Sequence, residues 1–432
     1  MALMQIIENP AKSQWRELLA RPFYNSNGLD ETVSKILSGI KSRGDQAVDE
    51  YSLQFDKVSF HDRLVNTFDI DEAESQLDEK LKRAIVQAKQ NISVFHKSQM
   101  ISEPYVETRP GVKCWRRSVA IEKVGLYIPG GTAPLFSTLL MLGIPATLAG
   151  CEEIIICTPP RKDGTIHPAI LYSAKLMGIR KIFKVGGVQA IGAMAYGTET
   201  IPAVYKIFGP GNQYVTHAKK LIQQEGVAID MPAGPSELAV FADDSAVPAY
   251  VAADLLSQCE HGSDSQVMLV TDSRDFAEKV NISLEEQIEK LPRKSIAFNS
   301  LENSKIILMK DREVAMDYLN AYAPEHLILV CANAEKMADS VRNAGSVFIG
   351  NFAPESAGDY ASGTNHTLPT NGYAKAYSGV GIDSFVKKIS FQQLTREGLQ
   401  SISHTIIEMA VAEGLEAHAT AVKIRFTNQA YD

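Results

Sequence analysis

The sequence predicts an α/β fold in which two parallel sheets are covered by helices, with small helical extensions at the two ends of the chain. Short β-like runs alternate with helical stretches in two successive series, at roughly 127–237 and 238–350. Strands alternating with helices of this length indicate parallel sheets buried on both faces. The length of 432 residues exceeds a comfortable single core, which favours two or more domains.

Each series is a run of strand–turn–helix units. In the first, strands are predicted in "EEIIICTPP", "KIFKVGG" and "AVYKIFGPGN", followed by helices in "HPAILYSAKLMGI", "VQAIGAMAYG" and "QYVTHAKKLIQQE". The second has helices in "PAYVAADLLSQCEHG", "RDFAEKVNISLEEQIEKL" and "NAEKMADSVRNAG", with strands in "QVMLVTD", "HLILVC" and "SVFIG".

The two ends of the chain do not follow this alternation. Residues 1–25 are expected to form an arm with a short helix, and residues 381–432 a helical tail interrupted near Gly414. Apolar residues recur in the tail at helical spacing, at Leu399, Ile402, Ile406 and Met409. A small helical tail buries little surface by itself, so it must dock on the body of the chain or on a partner subunit.

The composition is ordinary for a soluble globular protein and argues against two kinds of partner. A formal net charge of −8 offers no general attraction to nucleic acid or to an anionic membrane. Residues 124–151 carry no charge, but three prolines and five glycines divide them into a strand, a glycine-rich turn and a short helix rather than a membrane span. Five cysteines without a CxxC pair are typical of reduced thiols in a cytosolic compartment.

Three glycine-rich turns follow strands and open helices, in "YIPGGTAP", "KVGGVQA" and "IFGPGNQY". Ligands of α/β sheets bind beyond the carboxyl ends of the strands, where such turns expose backbone N–H groups to an anion. None of the three is G-x-G-x-x-G, so their spacing alone does not show NAD binding. Tight turns between strand and helix explain them equally well.

Several polar pairs suit a metal or an acid–base site, and each has an ordinary structural explanation. Gln258 and His261 share one face at a predicted helix end, which is half of a metal site or a capped helix with a surface histidine. The stretch "AYAPEHLILV" places Glu325 directly before His326, either by chance at a loop end or as two bases with separate duties.

Two further pairs lie outside the predicted strands. Asp359 and His366 occur in a long loop rich in Gly, Ser, Thr and Pro, a kind of loop that is usually functional or disordered. Glu413 and His418 lie in the tail, where a charged, solvated helix face explains them equally well.

Six segments together resemble the signature segments of the histidinol dehydrogenase family. They are "GLYIPGGTAPLFSTLLML", "KIFGPGNQYVTHAKK", "DMPAGPSELAV", "LLSQCEHGSDSQV", "YAPEHL" and "ESAGDYASGTNHTLPT", and the resemblance runs from about residue 30 to the tail. The family oxidises L-histidinol to L-histidine through histidinaldehyde, the last step of histidine biosynthesis, and reduces two NAD⁺. The resemblance implies a cytoplasmic, zinc-dependent homodimer with two incomplete Rossmann-like domains.

The resemblance also implies the site residues. The zinc ligands, for one zinc per subunit, would be Gln258, His261, Asp359 and His418, the last from the other subunit. Substrate contacts would fall on these ligands and on Ser236, His326, His366 and Glu413. NAD contacts would fall on Tyr127, Gln189 and Asn212, in or near the glycine-rich turns, so the missing fingerprint is a property of the family. Cys259 stands where a small apolar residue is expected, and its thiol should point away from the zinc into the core.

The chemistry of that reaction gives the Glu325–His326 pair a purpose. Oxidising an alcohol to an acid takes two hydride transfers with a hydration between them, and each hydride leaves readily only if the carbinol oxygen gives up its proton. His326 is predicted as the base of both oxidations and Glu325 as the base of the hydration. Zinc would orient the substrate by chelating its imidazole and amine, while His366 and Glu413 would hold its polar groups.

Three alternative functions would each account for part of this pattern of residues. A zinc hydrolase would use Glu325 to activate water on an amide and would release no NADH. A non-catalytic nucleotide-binding or regulatory protein is compatible with the same fold. An aldehyde dehydrogenase acting through Cys259 would remain active after zinc removal.

These arguments divide the chain into four parts. Residues 1–25 are expected to form the arm, and residues 381–432 a dimerisation tail. Residues 26–126 plus 238–380 are expected to form a first α/β domain with the zinc and base residues, and residues 127–237 a second, NAD-binding domain.

Overall fold

The structure is a computed structural model that describes residues 3–22, 28–58, 62–130, 134–232 and 234–427. The chain forms two compact units. The first comprises Met1–Gln99 and Ile121–Phe385, and the second comprises Met100–Ala120 and Val386–Asp432.

The strands and helices are numbered in chain order. The strands are β1 (Gln5–Glu8), β2 (Val106–Arg109), β3 (Val112–Ala120), β4 (Lys123–Tyr127), β5 (Glu153–Cys157), β6 (Lys181–Phe183), β7 (Lys206–Phe208), β8 (Ala228–Ile229), β9 (Glu237–Ala242), β10 (Gln266–Thr271), β11 (Lys305–Leu308), β12 (His326–Val330), β13 (Ser346–Ile349) and β14 (Val386–Leu394). The helices are α1 (Trp15–Leu18), α2 (Leu29–Arg43), α3 (Asp45–Phe55), α4 (Thr67–Glu72), α5 (Glu79–Lys97), α6 (Phe136–Ala149), α7 (Pro168–Leu176), α8 (Gly187–Tyr196), α9 (Gln213–Gln224), α10 (Pro248–Cys259), α11 (Arg274–Ile288), α12 (Lys294–Glu302), α13 (Arg312–Tyr322), α14 (Ala334–Ala338), α15 (Glu355–Tyr360), α16 (Arg396–Ala412) and α17 (Glu416–Lys423).

Two parallel sheets form the first unit, as the alternation of strands and helices predicts. One has five strands in the order β6-β5-β4-β7-β8, and the other has six in the order β1-β11-β10-β9-β12-β13. Counted along the chain from β4 or from β9, both follow the order 3-2-1-4-5, which is the Rossmann order without its sixth strand. Two incomplete Rossmann-like sheets are therefore confirmed, and the N-terminal arm adds β1 to the edge of the larger one.

The five-stranded sheet is covered on both faces by helices from two parts of the chain. The core on one face includes residues of α4 to α7, and the core on the other includes residues of α2, α3, α8 and α9. The helices α2 to α5 therefore belong with this sheet, whereas the sequence assigned 26–126 to the other α/β domain. The difference arises because the apolar faces of α2 and α5 pack against α8 and α6.

The six-stranded sheet is covered by α10 to α12 on one face and by α1, α13 and α14 on the other. Residues of the N-terminal arm take part in both cores. Met4 is fully buried on the first face, and Trp15 packs edge-on against Tyr318 on the second, with 5.1 Å between the ring centroids. The arm is thus an integral part of this sheet domain.

The second unit contains an antiparallel sheet in the order β14-β3-β2, followed by α16 and α17. The expectation of a helical tail from residue 381 was wrong for its first part. Val386–Leu394 pairs with the whole of β3, and this long-range pairing outweighs local helical tendency. The helical part does break at Gly414, which has a φ of +73° between α16 and α17.

Within the uncharged segment 124–151, β4 and the buried helix α6 form as predicted, and residues 131–133 between them lie outside the described residues. Within the described parts of the chain, none of the helices has both the length and the apolar character needed to cross a membrane.

A buried ion pair fixes the turn after β7. The side chains of Lys219 on α9 and Asp230 pair with only 4% and 2% of their surfaces exposed. Lys219 Nζ donates to the Gly209 carbonyl at 2.8 Å, and the Gly209 N–H donates to Asp230 Oδ2 at 2.8 Å. Gly209 has a φ of +130°, and a Cβ there would lie 2.0 Å from the Tyr127 carbonyl oxygen, so only glycine fits.

We expect Asp230→Ala to lower the free energy of unfolding by about 3–5 kcal/mol, because it leaves the Lys219 ammonium buried without its partner. Urea denaturation followed by circular dichroism measures this loss. The double variant Lys219→Met/Asp230→Asn removes both charges and should lose less. Glu225→Gln breaks an exposed pair with Lys41 and should change little. Equal losses in all three variants would contradict this account.

Candidate active site

The predicted base residues, Glu325 and His326, lie at the amino end of β12, beside the amino end of the neighbouring strand β9. His326 is the first residue of β12 and pairs in register with Leu238 of β9. Glu237 is the first residue of β9, and Ser236 directly precedes it. The glycine-rich turns after β6 and β7, in contrast, follow the carboxyl ends of their strands, as predicted, while residues 131–133 of the glycine-rich segment after β4 lie outside the described residues. The candidate bases therefore lie at the amino end of a strand in the six-stranded sheet, whereas the glycine-rich turns lie at the carboxyl ends of strands in the five-stranded sheet.

Glu325 and His326 are both held by the main chain of Glu237. The Glu237 N–H donates to Glu325 Oε2 at 2.9 Å, and His326 Nδ1 lies 3.2 Å from the Glu237 carbonyl oxygen. Both side chains are buried, with 6% of Glu325 and 4% of His326 exposed. His326 Nε2 is buried without a hydrogen-bond partner. In the neutral form of the ring, Nδ1–H donates to the carbonyl and Nε2 carries the free lone pair.

The local backbone delivers this pair to the sheet by a tight turn. Ala323 ends α13 in the left-handed region at a φ of +55°, and Pro324 follows it. Gly345 passes so close that a Cβ there would lie 2.5 Å from the Glu325 carbonyl oxygen. A non-glycine residue in the left-handed region is uncommon and marks a constrained turn at the site.

Helix α15 adds two carboxylates one turn apart on the same face. Glu355 Oε1 lies 3.6 Å from His326 Nδ1, and Asp359 Oδ1 lies 3.7 Å from His326 Nε2, which is beyond hydrogen-bond length. One ligand atom each from His261, Glu355 and Asp359 lies within 4.8 Å of the others. This cluster has the donor types and spacing of a metal site.

Gln258 is fully buried at the end of α10, next to Glu355. The O and N of its amide are assigned from the hydrogen bonds that they can make: with the nitrogen towards Glu355, it donates to both carboxylate oxygens, at 3.3 Å from Oε2. Ser257 Oγ donates to the same carboxylate at 3.2 Å. The Gln258 amide oxygen is therefore the atom that remains for a cation. Glu355 is a residue that the sequence analysis missed, although its spacing of four from Asp359 on a helix was a usable signal.

Burial and mutual charge shift the pKa values of these groups strongly. Burial raises the pKa of Glu325 to about 7 and that of Glu355 to about 8, with His326 opposing both shifts. Burial acts to lower the pKa of His326, but Glu325, Glu355 and Asp359 outweigh it and raise the pKa to about 10. The three carboxylates therefore favour the protonated form of His326. A metal among the carboxylates would compensate their charge and favour the neutral ring.

His366 connects this cluster with the other sheet. His366 Nδ1 donates to the Asp359 carbonyl at 3.0 Å, and Nε2 lies 3.3 Å from the hydroxyl of Thr138 on α6. Burial lowers the pKa of His366. Thr138 lies near the start of α6, which follows β4 in the chain. His366 therefore links the cluster at the amino end of β12 to the carboxyl end of β4 within the first unit.

The three residues predicted to contact NAD lie at the glycine-rich turns. Tyr127 ends β4, and its hydroxyl accepts from the Gly187 N–H at 3.1 Å. Gln189 is buried and donates to Asp56 Oδ2 at 3.1 Å. Asn212 caps α9 by accepting from two backbone N–H groups at 3.1 Å. Tyr127 and Asn212 thus hold the backbone next to these turns, Gln189 binds Asp56 at the end of α3, and the NAD contacts stay a prediction.

The remaining predicted residues fall into two groups. Glu413 and His418 are exposed side chains of the second unit, at the end of α16 and on α17. Cys259 is fully buried in the apolar core beside α10, and burial raises the pKa of its thiol to about 12. The expectation that Cys259 is core packing is confirmed, and its burial argues against the aldehyde dehydrogenase alternative.

Comparison with known proteins identifies the family. The family model described as "Histidinol dehydrogenase" matches residues 19–426. The chain belongs to the histidinol dehydrogenase family. It is 58% identical to the histidinol dehydrogenase of Bacteroides thetaiotaomicron over 98% of this chain and 99% of that one. It is 48% identical to that of Escherichia coli over 95% of each. The crystal structure of histidinol dehydrogenase from Elizabethkingia anophelis has a TM-score of 0.96, with 53% identity and 98% of each chain covered.

Membership of the histidinol dehydrogenase family settles the class of the protein. It is an oxidoreductase of histidine biosynthesis that acts on a small molecule. The hydrolase and the non-catalytic binding protein are thereby set aside. The structure brings together the predicted residues Glu325, His326, Gln258, His261 and Asp359 from distant parts of the sequence, with the unpredicted Glu355 among them; His261 is exposed, Asp359 is half-buried and the others are buried.

Asp254, one turn before Gln258, gives a testable pH dependence. Burial raises its pKa to about 7, opposed by the Glu355 backbone N–H. Because this carboxyl is protonated in the fold and ionised in the unfolded chain above about pH 4, its effect lowers stability as the pH rises towards 7. We expect Asp254→Asn to gain stability relative to the native chain between pH 5 and 8, by about 1–3 kcal/mol at pH 8.

Urea denaturation at each pH measures this difference, and Asp254→Ala, which lacks an acceptor for the N–H, separates the charge from the hydrogen bond. Parallel stability curves for the native chain and Asp254→Asn would show that the ionisation of Asp254 is not coupled to folding.

Proposed function

We propose that this protein carries out the zinc-dependent, four-electron oxidation of L-histidinol to L-histidine through histidinaldehyde, with reduction of two NAD⁺. The observation that carries the proposal is the buried pair Glu325–His326 beside the cluster His261, Glu355 and Asp359 in a member of this family. One site would perform both the alcohol and the aldehyde oxidation.

The residues present fit a zinc ion. Two donors of the proposed set, His261 and Asp359, lie together in the first unit, and Gln258 presents its amide oxygen because Glu355 holds its nitrogen. The fourth ligand would be the partner's His418. Among the described residues, the carboxylates of this cluster are paired only with imidazoles, so a divalent cation would compensate their charge. When bound, zinc would fix the imidazole and amine of histidinol and so orient its carbinol carbon.

His326 is the proposed base of both oxidations. Its Nδ1–H is held by the Glu237 carbonyl, which leaves Nε2 to accept the proton of the carbinol oxygen. The same atom would accept the proton of the aldehyde hydrate in the second oxidation. NAD⁺ would take one hydride in each oxidation, bound at the three glycine-rich turns with Tyr127, Gln189 and Asn212 as contacts.

Glu325 is the proposed base of the hydration between the two oxidations. A carboxyl whose pKa is raised to about 7 by burial can accept a proton from water and return it near neutral pH. The Glu237 N–H fixes one of its oxygens and leaves the other for the water. The two bases would thus share one anchor and act at different steps.

Further substrate contacts complete the proposal. Ser236, His366 and Glu413 would hold the polar groups of substrate or product, with His366 on the carboxylate. The protein would act as a cytoplasmic homodimer whose sites are shared, because Glu413 and His418 would reach the site of the partner. Exposed apolar side chains on α16 and after it, including Met409 and Leu415, support an interface on the second unit.

The stoichiometry of NADH tests the reaction. Purified protein with NAD⁺ and L-histidinol should form two NADH per histidinol consumed, measured by absorbance at the NADH band. Chelation should abolish the signal and zinc should restore it, because the ligand set would be empty and then refilled. One NADH with release of aldehyde would leave a dehydrogenase but contradict the role of Glu325. Absence of NADH from zinc-loaded dimer would sink the proposal.

Substitutions of the two bases separate their roles. His326→Asn should slow the oxidation of both histidinol and histidinaldehyde by about 10²–10⁴-fold. Glu325→Gln keeps the shape of the side chain and should slow aldehyde oxidation at least tenfold more than alcohol oxidation. Each half-reaction is measured with its own substrate at saturating NAD⁺. Equal losses for Glu325→Gln in both assays would contradict the division of labour.

A further inference from the structure

Glu237 connects the two proposed bases to the N-terminal arm. Its N–H and carbonyl bind Glu325 and His326. Its carboxylate, which is 2% exposed, binds Arg21 of the arm. That carboxylate accepts two hydrogen bonds from Arg21, from Nε to Oε1 and from Nη2 to Oε2, both at 2.9 Å. This paired, charge-assisted geometry is the strongest that two side chains form.

The Arg21 guanidinium is itself fixed by two further contacts. Nη2 donates to the Tyr322 carbonyl at 2.6 Å, and the guanidinium carbon lies 4.0 Å from the centre of the Tyr322 ring. The Tyr322 hydroxyl donates to Gln266 Oε1 at 2.8 Å, so the ring cannot turn away freely. Arg21 therefore clamps the start of β9 against the end of α13, the helix that leads into Glu325.

The clamp also reaches the loop after His366. The Asn371 N–H donates to Glu237 Oε1 at 2.7 Å, beside the bond from Arg21. One carboxylate thus joins the arm, the start of β9 and this loop. Without the Arg21 guanidinium, the buried Glu237 carboxylate would keep only the Asn371 N–H as a donor. The side chain would then turn towards water and displace the main chain of Glu237.

We propose that Arg21 is a positioning residue for the reaction, acting through Glu237 on Glu325 and His326. The inference rests on the proposed function, because it assigns Arg21 to the geometry of those bases. Arg21 touches neither of them. Its effect is to hold the backbone N–H and carbonyl of Glu237 in place, so that Glu325 presents one free oxygen and His326 presents Nε2.

The arm has anchors that do not involve Arg21, so the role can be tested without detaching it. β1 pairs with β11, the Met4 main chain makes two hydrogen bonds with Asn281, and Trp15 is buried with 8% exposed. Arg16, exposed on the same arm, provides a matched control.

Arg21→Ala should lower kcat for alcohol oxidation about tenfold, with the KM for NAD⁺ changed less than twofold. Added guanidinium at tens of millimolar should restore at least a third of the lost rate, compared with equal sodium chloride. Arg16→Ala should behave as the native enzyme with either salt. Arg21→Lys keeps the charge but lacks the two-pronged donor, and should lose about threefold with an unchanged melting temperature.

A double substitution shows whether Arg21 acts through His326. In a His326→Ala background, Arg21→Ala should change the residual alcohol oxidation less than twofold, because the side chain that it positions is gone. A full tenfold further loss, or native kcat in both Arg21→Ala and Arg21→Lys, would overturn the inference. Failure of the proposed function is distinguishable, since the native enzyme would then produce no NADH from histidinol at all.

Discussion

Three carboxylates crowded around one imidazole are the constraint on which the site depends. Glu325, Glu355 and Asp359 surround His326 within 3.7 Å, largely out of water. Buried carboxylates persist only when hydrogen bonds or opposite charge replace the lost hydration. The fold supplies donors from α10 and from the start of β9, and a cation would supply the remaining charge. The positions of α10, α15 and the starts of β9 and β12 meet this requirement for donors and positive charge.

The two sheets have the same strand order, but their candidate functional residues lie at opposite ends of the strands. In the five-stranded sheet, glycine-rich turns follow the carboxyl ends of β6 and β7, the side on which the general rule for such sheets expects a ligand. In the six-stranded sheet, the corresponding place beyond β9 is filled by Asp243. This carboxylate accepts from Arg312 at 2.8 Å and from the Ala332 N–H at 3.2 Å. The Asp243–Arg312 ion pair occupies this position, and the candidate base residues lie at the amino end of β12 instead.

Elements and residues with a local sequence pattern could be predicted, whereas those that depend on pairing with distant parts of the chain could not. Buried strands such as β12 are continuous apolar runs, so the alternation of the sheets was predictable. β14 was not, because its polar residues gain a strand only by pairing with β3. Glu355 had a local signal in its spacing from Asp359. Arg21 had none, since its connection to the site runs through the main chain of Glu237, which no side-chain pattern reports.

The pairing of β1 with β11 and of β3 with β14 has a consequence for biosynthesis. Each joins segments about three hundred residues apart in the chain, Gln5 with Lys305 and Val112 with Leu394. As the nascent chain leaves the ribosome, the earlier strand of each pair must wait for most of the chain before it finds its neighbour. An unpaired strand edge invites aggregation, which charged residues oppose. The edge of β3 that waits for β14 carries two positive charges in its middle, Arg116 and Arg117.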